Sequence, residues 1–598
     1  MPKDNEKQRL FTRRAMMIGA LQAAGFTILA SRLAYLQLFK DEKYTSLSEN
    51  NRIKLQLIAP ERGIITDWRG EVIVTNEKNY QLFMDMSGIK RAQLDDIITK
   101  LHSYTPLPEK TLEHLKSLRL RGAMRPELLK ENLSWEEVAR VEFYALDLPG
   151  VFVNLGQVRH YPLADEAAHL TGYIGAVNEN ELSEDDQPLM RLPNFKIGKN
   201  GIEEMFESRL RGKAGVKKLE VDVHGIPVRE IDKTESIAGE TIALTIDKRL
   251  QFFTSERIKG ESAAVVLMEV DTGNILTLAS MPGFDPNSFS LGIKNDYWKA
   301  LQADKKVPLM NKAIAGQYPP GSTFKMMVGM AALEQKVITP SFSVNCPGYF
   351  QLGDHRFNCW KEHGHGTVNF KRAITESCDT FFYTVAQKSG IQLFSDFAKR
   401  FGFGAITGVG LTGEKAGVMA DPDWKMARYK QKWTGGDTIN CAIGQGYVLA
   451  TPMQLCVMAA RICNGGYAVT PRFEKSKEPL SFPSLNVPDD ILQQCMEAMT
   501  DVVNAPNGTA YGKRITEPRF AFAGKTGTSQ VRKILVRGQD QSKIPWEQRH
   551  HALFVGFAPI DKPKYAICVT VEHGGGGGAA AGPIAHDVLL KVQELAEL

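Results

Sequence analysis

The stretch Gln317–Glu334, QYPPGSTFKMMVGMAALE, constrains the fold more than any other part of the chain. Pro319-Pro320-Gly321 cannot extend a helix backwards, so they form a turn that ends where a helix starts. From Ser322 to Glu334 the residues are helix formers and nearly all apolar, among them Phe324, Met326, Met327, Val328, Met330, Ala331, Ala332 and Leu333. A helix that is apolar on every side belongs in the middle of a domain. Its first turn nonetheless carries a hydroxyl and an amine, Ser322 and Lys325. At spacing i, i+3 they share a face, about 5–6 Å apart between Cβ atoms.

That pair has a chemical reading. A serine hydroxyl is a weak nucleophile until a neighbour takes its proton. A lysine at the start of an apolar helix is desolvated, which disfavours its charged form and suits it to act as a base. The free N–H groups and positive end of the helix then face the oxyanion formed on attack. S-x-x-K also arises by chance, so this motif does not decide the chemistry alone.

The 598 residues imply several domains, about three to four on length. A net charge of +5 is small for this length. The charges are mixed throughout, which excludes the concentrated basic face of a nucleic-acid binder. At the N-terminus, Lys3, Lys7, Arg9, Arg13 and Arg14 precede an apolar run from Ala15 to Ala30 that resumes after Arg32 as far as Phe39. The run is long enough for one membrane span, with Arg32 able to snorkel. The basic flank predicts a cytoplasmic N-terminus. A cleaved signal peptide is the alternative, but no clean small-x-small site follows the run. No second span is evident, so about 560 residues are expected outside the cytoplasm.

Asn50–Asn76 reads as extended structure around a turn, with Arg62, Gly63, Asp67 and Gly70 suggesting a tight hairpin pinned by an ion pair. Residues 88–146 read as charged helices, for example Ala92–His102 and Ser134–Tyr144, with Leu94, Ile97, Ile98 and Leu101 at helical spacing. Val151–Val223 returns to short strands and turns. Glu203–Arg211 reads as an amphipathic helix, and His160 and His169 as structural histidines. A boundary falls near Ile237–Thr241. Beyond it, Ala263–Met281 is predicted to be a hairpin turning at Asp271-Thr272-Gly273. Helices fill the central third. Strands return at Arg519–Val531, His551–Pro559 and Lys564–Glu572, before a glycine loop (Gly574–Gly578) and a closing helix, Ile584–Leu595. Strands at both ends with helices between predict a sheet whose edges are distant in sequence.

Two further motifs follow in that domain. Ser377-Cys378-Asp379 begins a helix, and Lys525-Thr526-Gly527-Thr528 stands at the exit of the strand RFAFAG. Ser322-x-x-Lys325, Ser377-x-Asp379 and Lys525-Thr526-Gly527, in this order, form the three-part signature of serine acyl-transfer enzymes that act on, or are trapped by, penicillin. The chain resembles the class B, monofunctional transpeptidase branch of the penicillin-binding proteins over nearly its whole length. The membrane anchor, Arg62–Gly70, Gly198–Glu203 and Gly444-Gln445-Gly446 with Thr451-Pro452-x-Gln454 all look like that branch. Trp360–Gly366, Gly524–Val531 and His573–Pro583 look like its rod-elongation members rather than the septal ones.

The resemblance implies an α+β multidomain chain. Residues 1–14 would be a cytoplasmic tail and 15–39 the anchor. Residues 40–240 would form a β-rich periplasmic pedestal of the dimerisation type, with a helical lobe at 88–150. Residues 241–598 would form a transpeptidase domain like the serine β-lactamases, an antiparallel sheet flanked by helices. It further implies that Ser322 attacks the carbonyl between the terminal D-alanines of a peptidoglycan stem peptide and that Lys325 takes its proton. Ser377 would relay a proton to the leaving amine, and Asp379 would help hold the site. Lys525 and Thr526, followed by Gly527 and Thr528, would bind the terminal carboxylate, and the N–H groups of Ser322 and Thr528 would form the oxyanion hole. The wider superfamily usually has Asn at the position of Asp379, and Asp cannot donate as an amide does. The chemistry needs no cofactor. The implied partners are stem peptides, β-lactams, a SEDS-family glycosyltransferase and a rod-shape scaffold protein. The implied location is a bacterial inner membrane, crossed once, with the bulk periplasmic.

All eight cysteines follow residue 345. Cys456, Cys463, Cys495 and Cys568 sit in apolar runs and read as core residues. Cys346, Cys359, His365 and Cys378 would suit structural zinc, and the glycines flanking His365 favour it over His363. A Cys346–Cys359 disulfide and plain buried thiols remain alternatives at this level. So do two other readings of the whole chain: a hydrolase with the same site (D,D-carboxypeptidase or β-lactamase) and a non-enzymatic β-lactam sensor. The roughly 200 residues before the enzyme domain speak against a hydrolase, which needs only water.

Overall fold

The computed structural model describes residues 3–39, 53–86, 89, 91–121, 126–185, 187–192, 195–221, 227–531 and 541–597. Residues 40–52 at the start of the expected pedestal lie outside them. Two compact units emerge. The first comprises Met1–Glu61, Gln187–Leu192 and Gly212–Ala238, and the second comprises the remainder.

In the first unit one helix, Lys3–Phe39, contains the expected apolar run. Its apolar window, Arg13–Tyr35, is the one helix among the described residues long and apolar enough to cross a membrane. The unit's sheet is antiparallel: Ile53–Ile58 pairs with Gly215–Val221, which pairs with Pro227–Thr234.

The second unit begins with a sheet built on one long strand, Val72–Met84. That strand pairs with Ile65–Thr66, Glu127–Leu133 and, from Thr75↔His160 to Met84↔Val151, with Val151–His160. The predicted helices are present as Arg91–Tyr104 and Trp135–Phe143, and a third, Glu109–Arg121, lies between them. Leu94, Ile97 and Leu101 pack with Leu115, Val138 and Val141 because their spacing puts them on the buried stripe. Ser134 and Glu137 close a capping box that fixes where the last helix starts.

The turn at residues 62–70 differs from expectation. Asp67 does pin it, by accepting the N–H groups of Arg69 and Glu71. Arg62, however, does not pair with Asp67. It reaches Glu203 and Glu207, each at 2.6 Å. Arg159 joins them with its Nε 2.6 Å from Glu203. Glu203 is fully buried, so it needs both guanidiniums to offset its desolvation. The expected helix Glu203–Arg211 is two short turns, Gly201–Met205 and Glu207–Leu210, broken at Phe206. Of the two histidines read as structural, His169 is buried and His160 lies 3.4 Å from Glu77.

The second sheet has five antiparallel strands in the order Ile275–Met281, Ala263–Glu269, Tyr565–Val571, His551–Ala558, Ala523–Ser529. Its first hairpin pairs with a strand about 300 residues later, Ala263 opposite Val571. The sheet is covered by Pro452–Cys463, in which every residue is buried, and by the closing helix Ala581–Glu597. Lys325–Glu334 is buried from Lys325 to Leu333, as an all-round apolar helix must be. All eight cysteines are buried free thiols, so the Cys346–Cys359 disulfide is not formed.

Candidate active site

The nucleophile turn is tighter than an α-helix. Gly321–Phe324 is a 3-10 turn that hands over to the α-helix at Lys325. Gly321 has a φ of 55°, and a Cβ there would sit 2.5 Å from the Thr528 carbonyl oxygen. Glycine is therefore required where the turn meets the sheet edge. The Gly321 N–H donates to Gly444 O at 2.9 Å. Gln445 Nε2 donates to Thr528 O at 2.9 Å, so residues 444–445 hold both sides of the junction. This brings the backbone of half-buried Ser322 beside Thr528.

Lys525, Thr526, Gly527 and Thr528 lie within the edge strand Ala523–Ser529, not at the exit of an earlier one. The residues before it, Pro518–Phe520, form a 3-10 turn, because Pro518 cannot donate to a ladder. A Cβ on Gly577, in the glycine loop, would collide with the carbonyl oxygens of Gly527 and Leu553. The loop's composition thus follows from its contact with this strand.

Ser377 ties the three motifs together. Its hydroxyl accepts from Lys325 Nζ at 3.2 Å and from Lys525 Nζ at 3.0 Å. Lys325 Nζ also donates to Ser377 O at 2.9 Å and to Asp379 Oδ1 at 2.7 Å. The lone desolvated amine expected at Lys325 is therefore a buried amine with a carboxylate partner 54 residues away. Burial lifts the Asp379 carboxyl above its ordinary range, against the pull of Lys325. Burial also drives the Lys525 amine far below its ordinary value, and the charge of Lys325 adds to this. Thr526 Oγ1 is held 2.8 Å from Thr509 Oγ1, a residue with no sequence signal of its own.

Behind this cluster lie Cys346, Cys359, His365 and Cys378, all buried, with ligand atoms within 4.8 Å of one another. His365 Nδ1 stands 3.6 Å from Cys346 Sγ and 3.5 Å from Cys359 Sγ, while its Nε2 is buried without a partner. His363 is exposed and outside the group. The hydrogen bond from Cys378 drives Cys359 strongly towards the thiolate, with His365 and Lys325 adding, and Cys378 is pushed the opposite way. Burial pulls the His365 imidazole down, but its contacts with Cys359 and Cys346 outweigh that and raise it. A separate cavity of about 710 Å³, lined by Leu492, Met496, Phe557 and Ile560, holds none of these groups.

The family described as the penicillin binding protein transpeptidase domain matches residues 263–590. The penicillin-binding protein dimerisation domain matches 57–244. The peptidoglycan D,D-transpeptidase MrdA of Acinetobacter baumannii is 36% identical over 96% of this chain and 87% of its own length. That of Salmonella typhimurium is 35% identical over 98% and 96%. Among solved structures, PBP2 in its complex with MreC from Helicobacter pylori superposes with a TM-score of 0.81 at 31% identity, covering 91% of this chain and 99% of that one. Pseudomonas aeruginosa PBP2 in complex with WCK 5153 gives 0.68 at 31% identity, covering 90% and 96%.

Proposed function

Because this chain belongs to the class B penicillin-binding proteins, as a peptidoglycan D,D-transpeptidase of the PBP2 kind, we propose a division of labour for its site and a role for it in lateral wall elongation. The observation that carries the assignment is the Ser377 hydroxyl held between Lys325 and Lys525 beside the Ser322 turn. Ser322 Oγ forms a bond to the carbonyl carbon between the terminal D-alanines, and the C–N bond to the last one breaks. The proton leaves Ser322 for Lys325, which must be neutral at that moment, and Asp379 stabilises the ammonium so formed. Ser377 passes a proton on to the departing amine. A second strand's amine then attacks the acyl carbon, returns its proton along the same path and frees Ser322. Thr526, with the amine of Lys525, orients the substrate's terminal carboxylate. The N–H groups of Ser322 and Thr528 receive the oxyanion.

Incubation with labelled penicillin followed by mass spectrometry tests this assignment. One stable adduct per chain is expected, on the peptide carrying Ser322. Steady turnover of penicillin without an adduct would instead mark a hydrolase.

Cys346, Cys359, His365 and Cys378 fit structural zinc. Three thiols and one imidazole are its usual donors, and a tetrahedral site with Zn–S of about 2.3 Å puts sulfurs about 3.8 Å apart, inside the observed spread. Bound zinc would supply cohesion, not chemistry: Cys378 precedes Asp379, and Cys359 and His365 bracket the facing segment. Metal analysis of protein purified without chelator is expected to give about one equivalent per chain, falling to background in a Cys359→Ser, Cys378→Ser double variant. Less than about half an equivalent in the unaltered protein would remove the metal from the account.

The N-terminal helix anchors the chain in the inner membrane by one pass, with residues 1–14 cytoplasmic and the bulk periplasmic. Residues 40–240 act as pedestal and 241–598 as the enzyme domain. The solved PBP2–MreC complex supports a rod-shape scaffold protein as partner. A SEDS-family glycosyltransferase that supplies the glycan strands is a further partner, consistent with a pedestal that carries no chemistry.

A further inference from the structure

One side chain outside the three motifs touches the site through both its backbone and its ring. Trp360 lies between Cys359 and His365 in sequence. Its backbone N–H donates to Asp379 Oδ2 at 2.9 Å. Its indole Nε1–H donates to Glu376 O at 3.1 Å and to Ser377 O at 3.0 Å. Ser377 stands at a φ of 55°, a conformation that residues with a Cβ seldom adopt and that neighbours must hold in place. The donors on its carbonyl are the Trp360 indole and the Lys325 amine. The orientation of that turn decides where the Ser377 hydroxyl points, 3.2 Å from one lysine and 3.0 Å from the other. Trp360 is 58% exposed. Its ring meets His365 edge-on, with centroids 5.6 Å apart. Burial of the ring therefore contributes little, and what the residue brings is its pair of N–H groups.

We propose that Trp360 is a positioning residue for acyl transfer: its indole N–H fixes the Ser377 turn and thereby the proton path from Lys325 to the leaving amine. This rests on the reading of Ser322 as nucleophile and Ser377 as relay. A residue with this task changes the chemical step and leaves binding of the intact β-lactam alone.

The test is acylation kinetics of the full-length, detergent-solubilised protein with labelled penicillin, separating the noncovalent binding constant from the first-order acylation constant. Trp360→Phe keeps an aromatic ring and loses the N–H. Trp360→His keeps a ring N–H three bonds from Cβ, as in the indole. Phe is expected to lower the acylation constant about tenfold with binding within about twofold, the scale of losing one shared N–H donor in the transition state. His is expected to recover most of the rate. The thermal midpoint and zinc content of both should match the unaltered protein. A Phe variant that acylates at the original rate overturns the proposal. So does one that loses binding alone, equals the His variant, or falls in rate only together with its thermal midpoint. An adduct on a residue other than Ser322 in the unaltered protein would sink the underlying reading instead, which separates the two failures.

Discussion

Ser322→Ala is expected to abolish covalent labelling by penicillin and transpeptidation, with a fall of at least about 10⁴-fold, as when the nucleophile of another serine acyl-transfer site is removed. The loss should be chemical only. Ser322 is half-buried at the start of a 3-10 turn, and that turn is held by Gly321 against Gly444 and by Thr323 Oγ1, which donates to Pro320 O at 2.8 Å. The variant should fold with an unchanged thermal midpoint and keep the Lys325–Asp379 contact, because neither depends on the Ser322 hydroxyl. Intact-mass spectrometry gives the first readout and cell shape the second. Cells carrying only the variant should lose rod elongation. Covalent label persisting elsewhere in the site would show that another group attacks, and rod shape persisting without label would revive the sensor reading.

Glu203→Ala should produce the largest loss of stability. The carboxylate is fully buried, with Arg62 and Arg159 both 2.6 Å away. Removing it leaves the Arg159 guanidinium buried, with Gly63 O and Asn76 Oδ1 as its remaining acceptors. Breaking a buried pair in this way costs about 3–5 kcal/mol. The network lies in the second compact unit, and its loss lowers that unit's thermal midpoint by several degrees. Scanning calorimetry at a fixed rate measures it, and a shift below about 2 °C would show the network to be dispensable. Burial works against ionisation of Glu203, but the two arginines outweigh it and hold its pKa below the ordinary value. The contribution is complete above the unfolded carboxyl range near about 4.3 and disappears as pH falls through the depressed folded value. Penicillin labelling of Ser322 at low temperature should survive the substitution, because Glu203 touches none of the site's groups.

Much of the architecture was legible because it is local. The two apolar runs around the Asp271-Thr272-Gly273 turn in Ala263–Met281, the helical stripe of Leu94, Ile97 and Leu101, and the all-round apolarity of Met326–Leu333 each report on neighbours within a few residues. The three motifs were legible for the same reason, as short spacings with a chemical meaning. Local preference misleads where the partner is distant in sequence. Arg62 stands five positions from Asp67, but its carboxylates are Glu203 and Glu207, 141 and 145 positions on. The predicted strand Arg519–Val531 contains Lys525-Thr526-Gly527, but in the structure it begins only at Ala523, and its glycine and threonine lie where the edge lets Gly321 and Gly577 approach closely.

The residues alone determined which groups are available: a hydroxyl and an amine one turn apart, a second serine, a second lysine, and a run of thiols with one imidazole. Tertiary structure decided their charge partners. Whether Lys325 is a solitary amine or one half of an ion pair depends on Asp379 being 2.7 Å away, and Trp360 has a task only because Ser377 O faces its ring nitrogen. Electrostatic energy and hydrogen bonding fall off over a few ångströms of space and are indifferent to distance along the chain. A sequence therefore names the chemistry, and the fold sets the state in which each group waits.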